Sequence, residues 1–145
     1  MIENISTHRI LLVEDDPNDI ELIRLSLENT HFVYQLDVVQ DGEQALHYLL
    51  GQNGAPPIHP LPKFILLDLK LPRVSGIQVL ETLRNHPRTQ NAVIVAMTSS
   101  GEERDIELCY TLKVNSYIVK PLDFQQFADV SRQVGWYWMT LNQAP

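Results

Sequence analysis

Three stretches of this chain are apolar without interruption: "ILLV" at residues 10–13, "FILL" at 64–67 and "AVIVAM" at 92–97. An alternating pattern would mark strands with one wet face. Continuous runs of this length mark strands covered on both faces, at the centre of a parallel sheet. With flanking residues they give strand candidates at 10–14, 34–39, 64–68, 92–97 and 116–119.

Longer amphipathic stretches lie between the strands. The first follows Pro17, a residue suited to an opening helical turn, and carries Ile20, Ile23 and Leu27 at helical spacing. Further helices are expected over about 42–50, 76–85 and 102–113, and from Phe124 to about Leu141. Strand and helix alternate strictly, which predicts an α/β protein built on a doubly wound five-stranded parallel sheet with five flanking helices.

The last helix carries Phe124, Phe127, Ser131, Val134, Trp138 and Leu141 on one stripe with a single polar break, widened by Val130 and Tyr137. At about 100° per residue, Trp136 falls off that stripe among Asp129, Arg132, Gln133 and Thr140. An indole on a polar face is a candidate contact anchor, although isolated exposed aromatics are also common. Residues 51–62, "GQNGAPPIHPLP", hold four of the nine prolines and read as a stiff loop insertion.

Composition narrows the function. The chain has 145 residues, 44% of them hydrophobic, which suits one domain (1–145) that ends in an aromatic extension at 135–145. A net charge of -7 argues against broad electrostatic binding to nucleic acid or to an anionic membrane. No apolar run approaches the roughly 20 residues that cross a bilayer, and "MIENISTHR" has no signal-peptide core. A cytoplasmic protein is expected. The single Cys109 excludes an internal disulfide, and the five histidines have no metal-ligand spacing.

The candidate chemistry lies where the strands end. In an open parallel sheet, ligands gather at the carboxyl ends of the strands. Here the first strand ends in Glu14-Asp15, the third in Asp68, the fourth in Thr98-Ser99 and the fifth in Lys120-Pro121. Clustered carboxylates either share a proton or bind a cation, and an oxygen-only donor set favours a hard ion such as Mg²⁺. Lys120 adds a point charge for a phosphate oxygen and Thr98 a hydroxyl donor, an arrangement suited to phosphoryl transfer with Asp68 as nucleophile. Each part also has a plainer role. Asp16 before Pro17 is read as a helix cap, and Thr98 and Ser99 could cap the fourth helix.

"ILLVEDD", "ILLDLKLPRVSG", "VAMTSSGEE" and "YIVKP" resemble, in order and spacing, the diagnostic blocks of the receiver domain of two-component response regulators. The resemblance spans about 8–134 and implies a flavodoxin-like sheet in the order 2-1-3-4-5. It implies that Asp68 is the phosphoacceptor, charged by a phosphohistidine on a sensor histidine kinase. Glu14, Asp15, Asp68 and the backbone carbonyl of Lys70 would bind Mg²⁺ (or Mn²⁺). Thr98 and Tyr117 would be the switch pair, Lys120 the phosphate-binding lysine and Lys120–Pro121 a cis bond. Turnover would be limited to self-phosphorylation and self-dephosphorylation.

Only "GWYWMTLNQAP" follows the receiver blocks, so output is expected through protein contacts. The proline-rich insertion and aromatic extension are similar to response regulators partnered with cyanobacterial phytochromes. That narrower resemblance implies a homodimer through the face of the fourth helix, fifth strand and last helix, with Trp136, Tyr137 and Trp138 at the interface. Two other classes stay in view. A phosphohydrolase of the haloacid dehalogenase type would carry a second acid two residues after the nucleophile, where this chain has Lys70. A binding module that no longer takes phosphate would not need Asp68, Thr98 and Lys120 together.

Overall fold

The computed structural model describes residues 8–143; residues 1–7, which hold most of the stretch read for a signal peptide, and 144–145 lie outside the described residues. Strands β1 (Arg9–Val13), β2 (Gln35–Val39), β3 (Phe64–Leu67), β4 (Ile94–Thr98) and β5 (Ser116–Val119) alternate with α1 (Pro17–Glu28), α2 (Gly42–Leu50), α3 (Gly76–Arg84), α4 (Glu103–Thr111) and α5 (Phe124–Trp136). All strand pairs are parallel, in the order β2-β1-β3-β4-β5.

The continuous apolar runs supply the three central strands: residues 10–13, 64–67 and 94–98 are buried, whereas Arg9 is half-buried and Ala92 and Val93 lie half-buried just before β4. Side chains still alternate between two cores. Leu11, Val13, Ile65, Leu67, Ile94 and Ala96 pack with Ala45, Leu49, Val79, Leu80 and Leu83 of α2 and α3. Ile10, Leu12, Phe64, Leu66, Val95 and Met97 pack with Ile20, Ile23 and Leu27 of α1 and Phe127 and Val134 of α5. The edge strands β2 and β5 are only half-buried.

The last helix departs from expectation. Its regular part stops at Trp136, and residues Tyr137–Leu141 form a wider π turn (π1), closed by Asn142 N–H donating to Tyr137 O at 2.8 Å. The extra residue per turn rotates the stripe. Met139 is buried, Trp138 is half-buried beside it, and Leu141 is 49% exposed. Lys63 Nζ donates to Met139 O at 3.0 Å and ties the turn to the base of β3. At the other end of the stripe Phe124 is exposed, and the polar break, Ser131, is buried.

The 51–62 loop sits at the edge of the sheet opposite the strand-end acids and is pinned to the body. His59 stacks on Tyr48 with ring centroids 4.9 Å apart. Arg88 donates to Leu49 O at 3.0 Å and to His59 O at 2.9 Å, and Leu61 is buried.

Candidate functional site

Backbone hydrogen bonds extend the parallel ladder one residue past the strands and so place the site. Glu14 N donates to Val39 O at 3.0 Å, Asp68 N to Val13 O at 3.0 Å and Lys120 N to Thr98 O at 2.7 Å. Since Val13 pairs with Leu67, Glu14 and Asp68 come next in line, side by side. Both share the period of Leu12 and Leu66, and so lean toward the α1/α5 layer.

Lys120 reaches them from β5. Its Nζ lies 2.6 Å from Glu14 Oε1, 2.8 Å from Asp19 Oδ2 and 3.2 Å from Asp68 Oδ2. Carboxylate oxygens of Glu14, Asp15 and Asp68 all lie within 4.8 Å of one another, the one such group of acids, histidines or cysteines among the described residues. Glu14 and Asp68 are buried and Asp15 is exposed. Asp16 is the α1 cap: its Oδ1 accepts from Asn18 N at 2.8 Å.

Burial raises the proton affinity of Glu14, the Lys120 hydrogen bond only partly offsets this, and the charge of Asp68 adds to it; the carboxyl is pushed up to about 7. For Lys120, burial acts to lower the pKa, but hydrogen bonds to Asp19 and Glu14 and the charge of Asp68 outweigh it and raise it. One ammonium therefore does not neutralise this edge. Closely spaced oxygens with an excess of negative charge fit a hard divalent cation.

Thr98 and Tyr117 share the opposite period and face the α4 side. Thr98 is fully buried, with Oγ1 accepting from Ser100 N at 3.4 Å. Tyr117 is half-buried and its hydroxyl donates to Ser100 O at 2.7 Å. Neither Thr98 nor Ser99 caps α4. Its N-cap is Glu102, which makes no side-chain cap bond. Lys70 is exposed and its N–H donates to Asp68 Oδ1 at 3.4 Å. The Asp68 loop closes tightly on Gly76, whose N–H donates to Leu69 O at 2.9 Å.

One expectation is corrected. No peptide bond among the described residues is cis, so Lys120–Pro121 is trans. Trans is the lower-energy isomer by about 0.5–1 kcal/mol, and the trans chain already delivers Nζ to three carboxylates. Asp19 was not among the expected site residues. It lies two residues past Pro17, in the first turn of α1, and an acid there, four residues after Asp15, was the available signal.

A sheet of this order with acids and a lysine at its carboxyl edge defines a class of signalling protein. The chain belongs to the response regulator receiver domain family, matched over residues 10–132. Among its relatives, the probable methanogenesis regulatory protein FilR2 of Methanothrix harundinacea is 35% identical over 136 residues, covering 94% of this chain and 86% of that protein. Response regulator Rcp1 of Synechocystis is 32% identical over 136 residues, covering 94% and 92%. The Mn²⁺-bound structure of Rcp1 matches with a TM-score of 0.88 at 30% identity, over 95% of this chain and 99% of that one. The phosphorylated cyanobacterial phytochrome response regulator RcpA matches with a TM-score of 0.84 at 31% identity, over 97% and 99%.

Proposed function

We propose that Asp68 takes a phosphoryl group from a phosphohistidine of a sensor histidine kinase, and that the resulting acyl phosphate switches protein contacts. The carrying observation is Asp68 held beside Lys120 among the strand-end acids. In the transfer a carboxylate oxygen of Asp68 forms the new P–O bond as the P–N bond to the donor imidazole breaks. Glu14, Asp15, Asp68 and the Lys70 carbonyl would hold Mg²⁺, which offsets charge between the anionic nucleophile and the phosphoryl oxygens. Lys120 takes one phosphoryl oxygen and the Thr98 hydroxyl another. Movement of Thr98 toward the phosphate opens space for Tyr117, which gives up its bond to Ser100 O and turns inward.

The kinase is taken to be a phytochrome, a reading supported by the likeness to RcpA. A groove beside the site, walled by Leu22, Leu25, Leu122 and Phe124, offers apolar surface for a partner. The chain acts as one cytoplasmic receiver domain, spanning 1–145, with no turnover of outside substrates. No described helix is long and apolar enough to cross a membrane. Homodimerisation would use the face of α4, β5 and α5. That reading is supported by exposed Tyr110, Val119, Trp136 and Tyr137, with half-buried Trp138 alongside.

The test is incubation with acetyl phosphate and Mg²⁺ followed by intact mass. One phosphate adduct on the native protein, absent from Asp68→Asn, is expected. Release of inorganic phosphate from many esters would point to a phosphohydrolase, and no adduct with either donor or kinase would end the reading. Sedimentation of Trp136→Ala tests the dimer; an unchanged association constant would remove that residue from the interface.

A further inference from the structure

We infer that Asp19 is a positioning residue: from the first turn of α1 it holds the Lys120 ammonium off the Asp68 carboxylate, leaving the nucleophile free and the lysine poised for the incoming phosphoryl oxygen. This rests on the phosphoacceptor reading of Asp68.

An ammonium has three N–H donors. Here they meet three carboxylates, and the distances are unequal: 2.6 Å to Glu14, 2.8 Å to Asp19 and 3.2 Å to Asp68. The two short bonds come from residues that do not form the phosphoryl bond. The long one goes to the residue that does. Without the Asp19 bond, the flexible four-carbon stem would let the ammonium move closer to Asp68, and a tight pair would quench Asp68 as a nucleophile. Glu14 pulls from the neighbouring strand end, and Asp19 pulls from the helix above. Together they hold Nζ 3.2 Å from Asp68 Oδ2.

The three acids are not equivalent in what they can release. The side chains of Glu14 and Asp68 are 2% and 9% exposed, whereas that of Asp19 is 23% exposed and keeps access to water. When Asp68 becomes an acyl phosphate, its lysine contact passes to a phosphoryl oxygen. Asp19 can then follow or let go without being stranded as a dry charge. Asp19 also lines the groove between α1 and α5, so it is the residue through which a partner seated there would feel the lysine.

The test is the rate of phosphate-adduct formation on the native protein, Asp19→Ala and Asp19→Asn, each also made in a Lys120→Ala background. Asp19→Ala is expected to slow the reaction by about threefold to tenfold, the loss of one partly exposed charge-assisted bond. Asp19→Asn, which keeps an acceptor oxygen, should fall between. The slowing should vanish when Lys120 is already alanine, since the residue acts through the lysine. Equal slowing in both backgrounds would overturn the proposal. So would acceleration in both variants that fades with added salt, the mark of simple repulsion of an anionic donor.

A second readout needs no turnover. The Lys120 ammonium proton resonances, slowed in exchange by three acceptors, should broaden in Asp19→Ala and persist in Asp19→Asn. Unchanged resonances in Asp19→Ala would also overturn it. No adduct on the native protein would instead remove the phosphoacceptor reading, and the positioning role with it.

Discussion

Glu14→Gln, studied with the divalent cation chelated, puts the charge balance of the site under direct measurement. The ordinary value for this carboxyl is 4.5, and in the folded chain it is pushed up to about 7 by burial and by Asp68, against the pull of Lys120. Between those values the folded state binds more protons than the unfolded state. Stability must therefore fall as pH rises through that window and level off above it. At about 1.4 kcal/mol per pH unit, the loss attributable to Glu14 approaches about 3 kcal/mol by pH 8.

The amide in the variant carries no charge and so has no such slope. It costs something instead. Its oxygen can keep the Lys120 bond, but its NH₂ then faces Asp16 N–H, which now donates to Glu14 Oε2 at 3.2 Å. Losing that bond and weakening the other costs roughly 1–2 kcal/mol. The two effects predict crossing curves: native more stable near pH 5, the variant equal or more stable near pH 8. Urea unfolding across pH 5–8 in chelator measures both, and the difference between proteins cancels the other acids. Adding Mg²⁺ should raise native stability more at pH 8 than at pH 5, by about 2.7 kcal/mol at a hundredfold excess over its dissociation constant. It should do less for the variant. Parallel curves with and without the cation would refute the reasoning.

Two further predictions concern the scaffold. A methyl group at Gly76 would lie 2.2 Å from Asp68 O and 2.5 Å from Leu69 Cα, both backbone atoms that cannot swing aside. Gly76→Ala should therefore cost about 2–4 kcal/mol in urea unfolding and slow phosphate-adduct formation; a change within experimental error would show that the loop yields freely. Arg84 at the opposite edge donates to the carbonyls of Thr89, Gln90, Ala92 and Lys113 and to Asn115 Oδ1. Arg84→Met should cost about 3 kcal/mol, read as a lowered Tm, while the adduct rate stays at the native value. A slowed adduct rate would mean that the two edges are coupled.

Much of this was legible before the chain folded. Continuous runs such as "FILL" mark buried parallel strands because a strand covered on both faces has no reason to alternate. The gathering of Glu14, Asp15, Asp68 and Lys120 was legible because a parallel sheet sends every strand's carboxyl end to the same edge, so strand-end residues far apart in sequence must meet. Asp19 was harder to read. It belongs to a helix, and whether a helical acid reaches the site depends on how α1 packs on the sheet. The end of α5 was missed for a related reason. The stripe assumed 3.6 residues per turn throughout, and local periodicity does not report a π turn.

The linear pattern thus determined which residues would be strand, which would be helix and which strand-end acids would assemble. Those are consequences of side-chain period and of parallel topology, both written in short windows of sequence. Tertiary structure alone decided how the lysine's three protons are shared, with the shortest contacts to Glu14 and Asp19 and a longer one to Asp68. It also decided the trans bond at Pro121 and the burial of Met139 in place of Trp138. Each of these depends on distances of a few tenths of an ångström or on energy differences near 1 kcal/mol between packed alternatives, and such differences exist only once the helices sit on the sheet.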